Sequence, residues 1–476
     1  MGLVNRHHNS VESSVGTGAL TRRPQLTAVM QSQLSQVDFL NRLFQALEES
    51  SIRYCVLQRW DALLEELHTD HDVDLAVHPK DAEKLPPVWG ALMERGYRPI
   101  HLLNHEVNAY AFVFAWFEGL SLRTVMVDIA FDHRQSGLIW KSGEELIAGR
   151  QRRGIVWAAD PGVELAYLLV KKMLKGSFKA SREQRYKLLV ERVGRPRAKK
   201  IITDLFGERS GDGVLAACEN AHLGPILRSL RKSFLLKRFV RNPINLVRYV
   251  VADALRLGRR WFQPTGLSLA LLVTKGVRDN NDSERLVEIL TPAFGIHNVR
   301  WRRHRPKPEH SNDAAAQTTD SENYSGPVGL IFGLLTWFLS LWLGYALRIR
   351  PLVVRTHLVV LDRYFPDGLV DPSFVNFKSL MWLARLLSFF APKPDLLLFL
   401  DGREENTLPS ECEIVERGWP LGAVAARQFV QSIPRTRLLR SNPRMDQSVR
   451  EASQSVLDHL AVRFQNRHGR WLGLSS

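Results

Sequence analysis

The sequence predicts an α/β chain: an α+β N-terminal part, a helical middle, and a second part with a parallel sheet flanked by helices. Three observations predict it. Short apolar strand-like runs alternate with helical periodicity in both terminal parts. The middle is helical in pattern and dense in Lys and Arg. Gly-Pro and Asn-Pro pairs punctuate that middle at Gly224-Pro225 and Asn242-Pro243. At 476 residues and 45 % hydrophobic content the chain is long enough for two or three domains with real cores.

The elements follow in order. Met1 to Met30 carries scattered charge, Ser, Thr and Gly but no continuous apolar stretch, so 1–36 is expected to be a disordered lead-in without a signal peptide. Val37, Leu40, Leu43, Phe44 and Leu47 recur at helical spacing and predict an amphipathic helix over 37–50. Strands are predicted at Tyr54–Leu57, Val73–Val77 and Val125–Phe131. Helices are predicted at Asp81–Arg95 and Pro161–Lys175. This first domain is bounded at 37–205, and 206–263 is expected to be a basic helical linker.

A second domain, 264–476, opens with the apolar run Leu267–Val273 as a buried strand. Further strands are predicted at His357–Leu361 and Asp395–Leu400, and a last helix around Val449–Phe464. Residues 303–326 are polar and predict a mobile loop. Pro327–Leu347 holds no charged residue in 21 positions, long enough for a membrane span, yet it runs directly into a strand. A buried core helix is the expectation there.

Composition narrows the setting. Cys55, Cys218 and Cys412 are far apart, which excludes a disulfide framework or a cysteine-rich zinc site and suits a reducing compartment. The expected location is cytoplasmic, with peripheral attachment to a membrane as the second expectation. Residues 171–260 contain 23 Lys and Arg against 7 Asp and Glu, the whole of the chain's net charge of +16. An inter-domain linker is the first reading of that basicity and contact with an anionic membrane through 226–262 the second. Nucleic acid comes last, because no groove-reading module is visible.

One constellation carries chemistry. On a strand, Asp72 and Asp74 point to one face while Val73 and Leu75 point to the other. Two carboxylates so close repel unless a cation lies between them, and hard oxygen ligands suit Mg²⁺. A third acid, Asp128, sits in the run Val125–Ile129. Beside the first strand it would complete a two-metal site for in-line nucleotidyl displacement. His68, His71 and His133 lie near these acids in sequence and are expected to be solvated rather than ligands.

This segment resembles the nucleotidyltransferase superfamily. That family's signature is a Gly-Ser pair, nine to thirteen residues, an Asp-hydrophobic-Asp-hydrophobic strand, and a later third acid. Here twelve residues, 60–71, separate positions 58–59 from Asp72, and Val127-Asp128-Ile129 supplies the third acid. The resemblance covers about 37–205. It implies Mg²⁺ held by Asp72, Asp74 and Asp128, with a nucleoside triphosphate as substrate. Where the family has Gly-Ser this chain has Gln58-Arg59. The close backbone approach to phosphate is lost, and Arg59 is left to meet a phosphate with its guanidinium.

The second domain shows a strand entering a turn at Leu267–Val273, then Val359–Tyr364 with Asp362 and Arg363, then Pro392–Asp401. These stretches resemble the thymidylate kinase family of P-loop proteins over about 264–465. Laid on the phosphate-loop motif, the first Gly falls on Val273, the second on Arg278, the Lys on Asp279 and the Ser/Thr on Asn280-Asn281. Gly276 alone survives. An Asp in place of the Lys repels a triphosphate by roughly 4 kcal/mol at 4 Å and an effective dielectric near 20. Leu408–Cys412 also lacks a lid arginine. The implied role is a scaffold or a binding module for a nucleotide or phosphorylated small molecule, with Gly276, Asp362, Arg363 and Asp401 lining the pocket.

The leading expectation is therefore a metal-dependent nucleotidyltransferase-type enzyme of open acceptor, fused to a degenerate kinase-like domain. The first alternative is a non-catalytic scaffold or regulator built from two degenerate nucleotide-binding folds. The second is an atypical nucleotide kinase.

Overall fold

Alternation of the buried strands sets the architecture of this computed structural model. It describes residues 34–61, 72–106, 108–135, 138–175, 184–220, 222–241, 243–273, 281–294, 299–303, 327–362, 383, 386–387, 390–401, 436–440 and 445–473. The predicted lead-in up to residue 33, the loop 304–326, His68, His71, Gly276, Asp279, Arg363 and Leu408–Cys412 lie outside the described residues.

Ser35 caps helix α1 (Gln36–Glu49), its hydroxyl accepting from the Asp38 amide at 3.2 Å. Strands β1 (Tyr54–Val56) and β2 (Val73–Val77) follow, then a 3₁₀ turn at Pro79–Lys84 and helix α2 (Leu85–Glu94). The predicted helix from Asp81 therefore begins as a tighter turn, because Pro86 and Pro87 fit only the first positions of an α-helix. Strands β3 (Arg98–Glu106), β4 (Ala109–Glu118) and β5 (Ser121–Ala130) form an antiparallel meander. After it come β6 (Asp132–Gln135), β7 (Leu138–Ser142), α3 (Gly143–Ile147), β8 (Gln151–Arg153), β9 (Val156–Ala158) and α4 (Pro161–Lys175).

The resulting seven-stranded mixed sheet has the order β3-β4-β5-β2-β1-β9-β8. In β1 and β2, alternate residues serve two layers. Tyr54, Val56, Val73, Leu75 and Val77 face the core built with α1 and α2, while Cys55, Leu57 and Ala76 face the core built with α4.

Four helices continue the chain: α5 (Gln184–Val193), α6 (Arg195–Phe206), α7 (Glu208–Glu219) and α8 (Gly224–Arg241). The α4-side core extends through Val214, Leu215, Cys218, Leu227 and Phe234, so helices expected to link the halves help to complete the first. Helix α9 (Pro243–Phe262) follows.

The second sheet is wholly parallel: β10 (Leu267–Val273), β11 (Val299–Arg303), β12 (Leu358–Asp362), β13 (Leu396–Asp401) and β14 (Thr436–Arg440), in the order β11-β12-β10-β13-β14. Its helices are α10 (Asn281–Phe294), α11 (Pro327–Gly344), α12 (Arg350–Val354) and α13 (Met445–His468). Leu34–Ser476 forms one compact unit. The joint is a shared core: Ile100, Val113 and Leu122 of the first sheet pack with Leu269, Leu290, Val360 and Leu457 of the second part. Phe464 of α13 reaches the α1-side core, and Trp471 and Leu472 pack against it.

Helix α11 corrects one expectation. It is not the wholly buried core helix expected: Phe332, Leu335, Leu339, Trp342 and Leu343 are exposed along one face, while Leu341 is buried. Among the described residues no helix is long and apolar enough to cross a membrane.

Candidate carboxylate site

The site grows out of the register between β2 and β5. These strands run parallel with Val73 opposite Val127 and Asp74 opposite Asp128. Val73, Leu75 and Val77 of β2 and Val125, Val127 and Ile129 of β5 belong to the α1-side core, so Asp74 and Asp128 share the other face. Asp72 stands exposed, one residue ahead of β2. The sequence-predicted acids are thus brought to one region of the sheet. Asp74 itself is buried.

Helix α4 covers that face. Asp160 accepts from the amides of Gly162 at 2.9 Å and Val163 at 3.3 Å and fixes its start. Its apolar residues enter the core, but a stripe of Glu164, Tyr167 and Lys171 recurs at helical spacing within them. Lys171 Nζ donates to Asp74 Oδ1 at 3.0 Å and to the Tyr167 hydroxyl at 2.8 Å. Gln58 Nε2 donates to Asp74 Oδ2. Burial works to lower the Lys171 pKa, but Tyr167 and Asp74 outweigh it and hold it above its ordinary value. The ammonium group is therefore a fixed charge at physiological pH.

Sequence reasoning missed Lys171. The available signal was a lysine and a glutamate on the buried side of a helix that is otherwise apolar there.

The surroundings are equally ordered. His133, on β6, is not solvated: its ring lies edge-on to Trp140 and Tyr167, at centroid distances of 4.5 and 4.8 Å. Burial, reinforced by the Lys171 charge, pushes its pKa down to about 3, so it is neutral and not poised for acid–base work. Glu164 is buried and paired with Arg185 of α5 at 2.8 Å, and Arg185 also meets Asp61 at 2.5 Å. Burial raises the Glu164 pKa, while Arg185 and a backbone hydrogen bond from Arg59 oppose the rise.

Arg59 adopts φ +55, the left-handed region, so the backbone turns at the position where the nucleotidyltransferase signature calls for a small pair. Beyond it a cleft is lined by Trp60, Arg153, Glu164 and Arg192. Arg153 and Arg192 lie over the Trp60 ring at 5.5 and 5.8 Å.

Three carboxylates fit a divalent cation in kind, since they are hard oxygen donors. As the side chains stand, Lys171 and Gln58 engage the two Asp74 oxygens. Among the described residues no group of three His, Cys, Asp or Glu side chains is disposed to hold a metal ion.

In the second sheet the strand order reverses at β10, which lies between β12 and β13. Crevices at the carboxyl ends of strands at such a switch point are the usual ligand positions of open α/β sheets. Asp362 ends β12 and Asp401 ends β13, on either side of the carboxyl end of β10. Gly276 and Arg363, predicted for the same place, lie outside the described residues.

No protein-family model matches the chain, and no curated protein matches it. Solved structures with partial likeness include thymidylate kinases and candidate nucleotidyltransferases. Thymidylate kinase from Ehrlichia chaffeensis is 15 % identical with a TM-score of 0.27, covering 40 % of this chain and 98 % of its own. Thymidylate kinase from Candida albicans is 15 % identical with a TM-score of 0.25, covering 40 % and 91 %. A candidate nucleotidyltransferase from H. pylori is 10 % identical with a TM-score of 0.23, covering 43 % and 97 %.

Proposed function

We propose that the first half is a nucleotidyltransferase-type site that receives a nucleoside triphosphate together with its Mg²⁺. The observation that carries this reading is the register that sets Asp74 directly opposite Asp128 on adjacent parallel strands. Two facing carboxylates on a covered sheet face repel each other, and such an arrangement needs a cation. Lys171 supplies it in the resting site.

On this reading the Mg²⁺ that arrives with the nucleotide would be held by Asp72, Asp74 and Asp128. It would neutralise phosphate charge during displacement. Lys171 would leave Asp74 and turn its ammonium toward the phosphates. Arg153 and Arg192 in the neighbouring cleft would add positive charge, and the half-buried Trp60 there would take a flat group. Arg59 would supply a guanidinium where the family uses backbone amides.

A second reading is favoured by a specific observation: both Asp74 oxygens already have partners within the chain, Lys171 and Gln58. A site satisfied in this way is that of a nucleotide-binding scaffold or regulator that performs no transfer. The second half fits either reading as a binding module for a nucleotide or phosphorylated small molecule, with Asp362 and Asp401 at the sheet's switch point.

Calorimetry of the full chain with each nucleoside triphosphate, in Mg²⁺ and in EDTA, tests the proposal, followed by assay for released pyrophosphate. Mg²⁺-dependent binding that is weakened in Asp74→Asn supports a nucleotide site. Pyrophosphate release then separates the transferase from the scaffold.

A further inference from the structure

Helix α9 is amphipathic with its faces exchanged. The side turned to the protein is polar: Arg256 donates to the Asn104 carbonyl at 2.6 Å and to Asp253 at 2.8 Å, and Arg260 donates to the Thr356 hydroxyl at 3.1 Å. The side turned to solvent is apolar. Ile244, Val247, Val251, Leu255 and Phe262 recur along it at helical spacing, with Leu255 70 % and Phe262 80 % exposed. A helix that turns Arg256 and Arg260 inward and Leu255 and Phe262 outward has a second apolar phase to meet.

Helix α11 carries a second exposed apolar stripe. Phe332, Leu335, Leu339, Trp342 and Leu343 lie along one exposed stripe, and Leu347, 71 % exposed, continues it in the π turn Tyr345–Ile349. Arg350, which opens α12 just after that π turn, brings the end of α9 close by: its guanidinium donates to the carbonyls of Trp261 and Phe262. Trp342 in turn donates to the Phe390 carbonyl at 3.1 Å, beside the exposed Phe390 ring.

The charge pattern selects the occupant. Residues 224–262 contain ten Lys and Arg against the single acid Asp253, and no acid occurs between Pro327 and Leu361. Arg248, Arg259, Arg348 and Arg355 are exposed around the apolar stripes. A second copy of the chain would bring like charge against like. An acidic bilayer surface offers negative headgroups for the arginines and acyl chains for the apolar stripe, with tryptophans at the boundary between them. We infer that α9 and α11 together dock this protein on an anionic membrane surface, lying in its interface without crossing it.

Flotation of the full chain with vesicles tests the inference, using phosphatidylcholine alone and phosphatidylcholine mixed with phosphatidylglycerol. Binding to the mixed vesicles, reduced by salt and absent from the neutral ones, is expected. Val251→Ser with Leu255→Ser, and Leu339→Ser with Leu343→Ser, should each lower it. Arg248→Glu with Arg259→Glu should weaken it by roughly 25-fold or more, about fivefold for each arginine. Circular dichroism melts establish that each variant stays folded. The wild-type comparison of the two vesicle types stands even if one variant does not. Failure of the wild type to float with mixed vesicles overturns the inference. Equal binding to both vesicle types does so too, as does a dimer in sedimentation that the same serine variants dissociate.

Discussion

Lys171 Nζ lies 3.0 Å from Asp74 Oδ1, joining helix α4 to strand β2 at the one place where that strand carries a buried charge. Removing one partner of such a pair leaves an uncompensated charge, which costs about 3 kcal/mol or more. Lys171→Met is therefore expected to lower the unfolding free energy by that amount in urea titrations. It should also open the carboxylates to free metal. Manganese binding followed by electron paramagnetic resonance should be absent in the wild type and measurable in the variant.

Arg185 supports the site from α5 through Glu164 and Asp61. Arg185→Ala is expected to destabilise by about 3 kcal/mol, because Glu164 stays buried without its counter-charge. Glu164→Gln in the same background should restore part of the loss. A chemical-denaturation cycle over the two single variants and the double variant measures the coupling.

His101 and His133 give a pH signature. Burial pushes both pKa values down to about 3, against the ordinary 6.5. The unfolded chain then binds more protons than the native one between those limits, so stability rises with pH across that window. Their contribution is complete above about pH 6.5. It falls by roughly 1.4 kcal/mol per pH unit for each histidine as the solution is acidified. Denaturation midpoints between pH 7 and pH 5 should show this slope, and His101→Leu should reduce it.

Phe464 ties the C-terminal helix α13 into the α1-side core, and its ring lies 6.4 Å from Phe112. Phe464→Ala is expected to cost about 3–5 kcal/mol by leaving a cavity at that joint. Thermal melts followed through tryptophan emission should shift down as a single transition, since the two halves share a core. Two separated transitions would count against that sharing.

Much of the first sheet was legible in the sequence, and the physical reason is alternation. Val73–Val77 was predicted residue for residue and β1 to within one residue, while β5 begins at Ser121, four residues before the predicted start; in β2 and β5 one acid among apolar residues marks the alternation. Strands β3 and β4 were missed. Tyr110–Phe117 is apolar almost throughout, since β4 is covered on both faces, and such a run shows no period. The acids of the site were readable. Lys171 was not, because only the packing of α4 on β2 and β5 shows that this lysine points inward. The apolar run 327–347 was read as core because it leads directly into a strand. Whether a second layer covers a helix is a property of the fold, and among the described residues one face of this helix stands exposed.

That the carboxylate centre is a nucleotide site accepting Mg²⁺ with its ligand is tested most directly by calorimetry of wild type and Asp74→Asn. Binding of at least one nucleoside triphosphate in Mg²⁺, lost in EDTA and weakened at least tenfold in Asp74→Asn, is the predicted result. No binding of any nucleoside triphosphate, or binding indifferent to both Mg²⁺ and Asp74, would contradict it.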